Sequence, residues 1–295
     1  MEVKEKFIEK IKQSYSFKGE SILIGSAIFD NDQETGCQVR VPLGTMNRHG
    51  LIAGATGTGK TKSLQLIAEG LSNAGVPVLL MDVKGDLSGI AAPGTVNPVV
   101  EKRSKIIGMD WQPQGFRSEL MTISNEPGVK LKATVSEFGP ILLGKILDLN
   151  ENQTGILSMV FKYCDDKNLP LLDLEDIKTV LKYIQEDGKQ EFQKDYGFFQ
   201  TTSAGTIMRS ITSLEQQGAA RFFGEPSFDI EDLMRLDEAG RGMINILRVT
   251  DIQSNTAMFS TFMLCLLAEI FQKMPEKGDL GKPEIVIFFD EAHLI

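Results

Sequence analysis

The spacing of apolar residues changes several times along the chain and predicts both strands and helices. Apolar runs at 78–81 and 285–289 are each followed by an acidic side chain, a pattern typical of buried parallel strands. A further predicted strand covers Met243 to Val249, and alternation from Lys130 to Ser136 predicts a half-buried one. Between 156 and 218, apolar residues three and four positions apart predict a bundle of helices.

Two other segments also have helical spacing. Phe7, Ile8 and Ile11 predict a short amphipathic helix near the N-terminus, which lacks the apolar core of a secretory signal. The apolar stretch from Ala257 to Phe271 is shorter than the ~20 residues that span a bilayer, so we expect a buried helix and no membrane insertion.

A glycine-rich segment lies between a predicted short strand at 50–53 and a predicted helix with an apolar face at Leu64, Ile67, Ala68 and Leu71. It matches G-x-x-x-x-G-K-[ST], the loop that surrounds phosphates with backbone N–H groups. The lysine neutralises the β and γ phosphates in such loops, and the hydroxyl binds Mg²⁺. The predicted ATP-binding residues are Gly54, Ala55, Thr56, Gly57, Thr58, Gly59, Lys60, Thr61 and Lys62. The alternative is a turn that only joins strand to helix.

Two carboxylates follow the last apolar run. At the carboxyl edge of a parallel sheet, Asp290 is the predicted Mg²⁺ ligand together with Thr61, and Glu291 is the predicted catalytic residue that polarises water, alongside Lys60. The alternative is a solvated acidic loop. Residues 290–293 also spell DEAH, but their distance from the phosphate loop argues against a DEAH-box helicase, and we interpret His293 as a loop residue.

A third polar segment follows the run at 78–81. Asp82, Lys84 and Asp86 come at the same predicted sheet edge, where they could approach the γ-phosphate or the attacking water. A simple solvated turn explains them equally well.

Composition limits the possible functions. The chain has 42% apolar and 24% charged residues, which suits a globular protein with a full core. Its three cysteines lack paired spacing, so we expect neither a zinc site nor disulfides, and a cytoplasmic location fits. The net charge of -9 gives no overall support to nucleic-acid binding, so any DNA contact must be local.

Five segments together resemble the HerA-FtsK group of motor ATPases, most closely HerA-like, YjgR-type bacterial proteins. They are HGLIAGATGTGKTKSLQ, LLMDVKGDLSG, FFGEPSFDIEDL, INILRVTDIQ and IVIFFDEAHLI. The resemblance implies a RecA-like fold, a homo-oligomeric ring of six subunits, and translocation on double-stranded DNA. It also implies further core strands, a polar sensor and an arginine finger beyond Ile295.

The expected architecture is an α/β P-loop NTPase with a mostly parallel sheet, flanking helices and an inserted helical bundle. We predict an N-terminal helix and strand segment at 1–48, a RecA-like ATPase core at 49–125 and 240–295, and a mainly helical insertion at 126–239. The leading hypothesis is an Mg²⁺-dependent, ATP-hydrolysing DNA translocase. The alternatives are an assembly or switch ATPase acting on a protein partner without DNA, and a non-catalytic ATP-binding module.

Overall fold

The structure, a computed structural model, describes residues 2–250 and 256–291. The helices are α1 Glu2–Ser14, α2 Lys60–Asn73, α3 Pro98–Ile107, α4 Val135–Ile146, α5 Glu151–Asp166, α6 Leu174–Tyr183, α7 Lys189–Tyr196, α8 Thr201–Gln216 and α9 Thr256–Lys273. The strands are β1 Ser21–Phe29, β2 Asp32–Pro42, β3 Val78–Asp82, β4 Ser118–Thr122, β5 Val129–Lys130, β6 Ile244–Arg248 and β7 Val286–Phe289.

The strands form two sheets. β1 and β2 make an antiparallel hairpin in which Ser21 lies opposite Pro42. The other five strands form a parallel sheet in the order β5-β4-β6-β3-β7. In its β3–β7 pair, Val78 lies opposite Val286 and Met81 opposite Phe289. The strands that carry the predicted polar segments therefore end side by side.

The chain divides into two compact units. The first comprises Met1–Leu120, Glu231–Leu247 and Glu276–Glu291. Its core lies between α2 and strands β3 and β6, where the predicted apolar face of α2 is buried. The main residues of this contact are Leu64, Ala68, Leu71, Val78, Leu80, Ile244 and Ile246. This packing fixes the direction of α2 relative to the strands.

The second unit comprises Met121–Ile230 and Arg248–Pro275, as far as these residues are described. Helices α4, α5 and α6 each begin with a capping box. In this motif the N-cap side chain accepts from the backbone N–H three residues later, and the side chain of that later residue accepts from the N-cap N–H. The three capping pairs are Thr134 with Glu137, Asn150 with Gln153, and Asp173 with Asp176. Local sequence thus sets where these helices start.

Aromatic contacts hold part of the second unit together. Phe222 lies 5.9 Å from Phe262 of α9 and 6.0 Å from Phe138 of α4, measured between ring centroids. The expectation of a buried helix holds for only one face of α9. Leu267 and Phe271 lie four residues apart on its other face, and 87% of Phe271 is exposed.

Two strand predictions were wrong. The strand predicted at 50–53 is absent, and 85% of Leu51 is exposed, because no described strand pairs with this segment. A strand requires a neighbour for its backbone groups, which an apolar sequence alone does not supply. The strand predicted from Lys130 to Ser136 is reduced to β5, since the Thr134 capping box starts α4 at Val135.

No described helix combines the length and apolar character needed to cross a bilayer.

We predict that Gly242→Ala destabilises the first unit. Ser72 Oγ donates to Gly242 O at 2.6 Å, Gly242 N donates to Ser72 O at 2.8 Å, and an added Cβ would lie 2.1 Å from Val76 O. Overpacking of this kind costs about 2 kcal/mol in free energy of unfolding, measurable by urea denaturation. Gly281→Ala is the control because its added Cβ meets open space. Equal effects of the two substitutions would contradict the prediction.

Candidate functional site

The glycine-rich loop leads directly into α2. Gly57 and Gly59 have φ angles of 79° and 98°, in the left-handed region that glycine adopts without a Cβ clash. Gly59 is the N-cap of α2 and has no side chain to cap the helix. The first N–H groups of α2 and the positive end of its dipole therefore face an open loop, an arrangement suited to phosphate.

Two side chains of this segment converge on one carbonyl. Lys60 Nζ donates to Ala55 O at 3.0 Å, and Thr58 Oγ1 donates to the same oxygen at 2.8 Å. The lysine thus folds back over the loop. Residues 51–58 are all exposed, so this surface is accessible to a ligand, while Thr61 is half-buried in the first turn of α2.

The loop after β3 is organised by a buried carboxylate. Asp82 has no exposed surface and accepts hydrogen bonds from Gly85 N at 2.7 Å and Leu87 N at 3.3 Å. Burial raises the pKa of Asp82, and the backbone N–H groups of Gly85, Leu87 and Asp86 oppose that shift. The structure therefore shows this residue holding the shape of the loop, which the sequence did not indicate.

A glutamine that the sequence analysis missed connects this loop to α2. Gln65 is buried, and its Nε2 donates to Asp86 O at 3.2 Å while its Oε1 accepts from Lys62 Nζ at 2.9 Å. The sequence offered one signal, since position 65 lies beside the apolar face of α2. This contact ties the first turns of α2 to the loop after β3.

The acidic pair lies where β7 ends. Asp290 Oδ1 accepts from Glu291 N at 3.0 Å, whereas its Oδ2 is buried without a hydrogen-bond partner among the described residues. Burial raises the pKa of Asp290. Glu291 has a left-handed φ of 52°, which is uncommon outside glycine and clusters at functional sites.

Lys84 joins the two strand ends. Its Nζ donates to Glu291 Oε1, and this bond raises the pKa of the Lys84 ammonium. Through Gln65, Asp86 and Lys84, α2, the loop after β3 and the end of β7 form one connected site. The structure thus brings together the segments with the predicted catalytic and metal-binding residues. His49 is exposed, and His293 lies outside the described residues.

The donor set fits Mg²⁺. This ion keeps several waters and takes one or two protein oxygens together with substrate phosphates. The buried, unpartnered Oδ2 of Asp290 is a suitable oxygen, and Thr61 offers a hydroxyl at the start of α2. Among the described residues, no three His, Cys, Asp or Glu side chains form a metal cage, so water and phosphate oxygens would complete the coordination of such an ion.

Solved structures share the fold of this chain. The bacterial conjugative coupling protein TrwBdeltaN70 in its unbound form has a TM-score of 0.54 at 14% identity, covering 98% of this chain and 63% of its own. The plasmid coupling protein TrwB in complex with the GTP analogue GDPNP has a TM-score of 0.54 at 13% identity, with 97% and 64% covered. The chain thus spans less than two thirds of these proteins.

The five-stranded parallel sheet flanked by helices defines a P-loop NTPase fold, as the sequence predicted. A family model described as helicase HerA-like C-terminal matches residues 28–295. The chain belongs to this family, and its predicted place in the HerA-FtsK superfamily is confirmed. No curated protein matches it.

Asp82→Ala should loosen the loop after β3. It would leave Gly85 N and Leu87 N without their acceptor, at a cost of about 2 kcal/mol in free energy of unfolding. Hydrogen exchange should accelerate at the amides of Gly85 and Leu87. Asp86→Ala is the matched control, because only the backbone oxygen of Asp86 contacts Gln65. Unchanged protection in Asp82→Ala would refute the assigned role.

Proposed function

We propose that this chain binds ATP with Mg²⁺ and hydrolyses it as part of a DNA-translocating motor. The observation that carries the proposal is the connected site, in which an open phosphate loop and two carboxylates are linked through Gln65 and Lys84. Family membership supports the motor class. TrwB, which shares the fold, was solved with a triphosphate analogue.

Each residue has a distinct role. The backbone of 54–59 and the start of α2 bind the phosphates, assisted by Lys62, and Lys60 leaves Ala55 O to neutralise the β and γ oxygens. Thr61 and Asp290 would hold Mg²⁺, which would stabilise the negative charge of the phosphates. Glu291 accepts a proton from water as the water oxygen attacks the γ phosphorus and the bond to the β-phosphate oxygen breaks.

We further propose double-stranded DNA as the substrate, a ring of six identical subunits, and a cytoplasmic location. The family description as helicase HerA-like supports the DNA partner. A charge of -9 requires the DNA contacts to be local. Three basic side chains, Lys102, Arg103 and Lys105, are exposed on α3 and are suitable candidates.

The acidic charge also favours a second candidate. An assembly or switch ATPase that acts on a protein partner needs no basic surface, and -9 is consistent with it. Its turnover would respond to that partner and ignore DNA.

Hydrolysis by the purified chain tests the proposal. We expect duplex DNA to stimulate release of phosphate from ATP, with stimulation falling steeply as salt rises, because phosphate contacts release counterions. GTP should be assayed in parallel. DNA-insensitive turnover would favour the protein-partner candidate, and mass photometry would show whether six subunits assemble.

Two substitutions separate binding from chemistry. Lys60→Ala should weaken ATP binding at least about tenfold, since it removes a charge-assisted bond to phosphate. Glu291→Gln should still bind ATP but lose about 10²–10⁴-fold in turnover, the usual contribution of a general base. Isothermal titration measures the first effect and phosphate release the second. Turnover retained by Glu291→Gln would disprove its role.

A further inference from the structure

Lys84 forms an ion pair with Glu291, the carboxylate proposed to accept a proton from water during hydrolysis. Lys84 Nζ donates to Glu291 Oε1, and 52% of the lysine side chain and 21% of the glutamate side chain are exposed. A carboxylate bound to an ammonium is a weaker proton acceptor than a solvated one. In the structure, the proposed base is therefore held in a less reactive state.

The loop does not need this pair for its shape. Asp82 already fixes the backbone through Gly85 N and Leu87 N, and Gln65 ties Asp86 O to α2. The Lys84 side chain extends from this fixed backbone at the carboxyl edge of the sheet. Among the described residues, the side chain of Lys84 forms its ion pair with Glu291. The backbone can stay in place while the flexible side chain changes partner.

A bound triphosphate would compete for the ammonium. An exposed ion pair between single charges is weak, because water screens it and two long side chains are immobilised. The terminal phosphate concentrates more negative charge and three acceptor oxygens, and lysine is a frequent phosphate ligand. A diphosphate lacks that group. The presence of the γ-phosphate therefore determines which partner is stronger.

We propose that Lys84 is a nucleotide-responsive positioning residue, which pairs with Glu291 in the nucleotide-free chain and transfers to the γ-phosphate of a bound nucleoside triphosphate. The transfer withdraws the Lys84 ammonium from Glu291 when a triphosphate is bound, and the carboxylate then becomes a stronger acceptor for the proton of water. This inference rests on the proposed function and adds a regulatory step to the same site.

Binding affinities test it without relying on turnover. Dissociation constants for Mg²⁺ with AMP-PNP and Mg²⁺ with ADP are measured by isothermal titration for the wild type, Lys84→Met, Glu291→Gln and the double variant. Lys84→Met should weaken AMP-PNP about tenfold, as expected for a lost charge-assisted contact, and leave ADP unchanged. Lys84→Arg should restore most of the AMP-PNP affinity.

The double variant distinguishes transfer of Lys84 to the γ-phosphate from a Lys84–Glu291 pair that persists when nucleotide binds. Glu291→Gln should tighten AMP-PNP binding, because it removes both the competing partner and a repulsive charge. If Lys84 transfers, the tightening is smaller in the Lys84→Met background, where there is no competition to remove. If Lys84 stays on Glu291 as a screen, the tightening is larger in that background, since the repulsion there is unscreened.

A matched control pair lies just before the same strand. Lys277 Nζ pairs with Glu284 Oε1 at 2.7 Å just before β7, at the end opposite the site. Lys277→Met and Glu284→Gln remove the same charges and should change neither nucleotide's affinity. Urea midpoints within error of the wild type would show that Lys84→Met folds normally, as expected for an exposed side chain.

The outcomes distinguish the transfer of Lys84 from nucleotide binding itself. Equal weakening of AMP-PNP and ADP by Lys84→Met, no weakening, or greater tightening in the double cycle would overturn the transfer while leaving ATP binding intact. If the wild-type chain binds neither nucleotide, the proposed function fails, and the inference fails with it.

Discussion

The packing of α2 against the parallel strands is the contact on which the site depends. Leu64, Ala68 and Leu71 are buried against β3 and β6, and apolar burial of this kind is the main stabilising term in a domain. A helix packed in this way after a glycine loop begins at the carboxyl edge of the sheet. The free N–H groups of α2 and the polar residues after β3 and β7 therefore share one edge.

Polar contacts then fix the conformation of the loop after β3 beside the packed helix α2. Asp82 uses both carboxylate oxygens to hold the backbone after β3, and Gln65 attaches that loop to α2. Burying a carboxylate is costly and raises the pKa of Asp82, and backbone N–H donors compensate for the lost water. These contacts hold the backbone at Lys84 in place, while the side chain of Lys84 remains half exposed.

The two carboxylates after β7 have different surroundings and therefore suit different tasks. Asp290 is partly buried with one oxygen unpartnered, a position that favours a cation. Glu291 pairs with Lys84, whose long side chain is flexible. Two neighbouring acids after one strand are thus suited to different tasks, one to holding a metal ion and the other to accepting a proton.

The sequence by itself determined the features that depend on local rules. The spacing of Leu64, Ala68 and Leu71 specified a helix, the glycines at 57 and 59 specified a left-handed loop, and the apolar runs specified β3 and β7. Five segments also indicated the family, because they follow one another in the order typical of HerA-FtsK proteins. Capping residues determine where α4, α5 and α6 begin, because each capping pair lies within three residues along the chain.

Only the tertiary structure decided what depends on neighbours distant in sequence. Leu51 and Ile52 have the composition of a strand, yet they form none without a described strand to pair with. The buried face of α9 and its exposed Phe271 depend on which residues pack against it. The pairing of Lys84 with Glu291 joins positions 207 residues apart, and it follows from the β3–β7 register, which places both strand ends together. Such pairings depend on strand order, and a single sequence does not encode strand order in any local pattern.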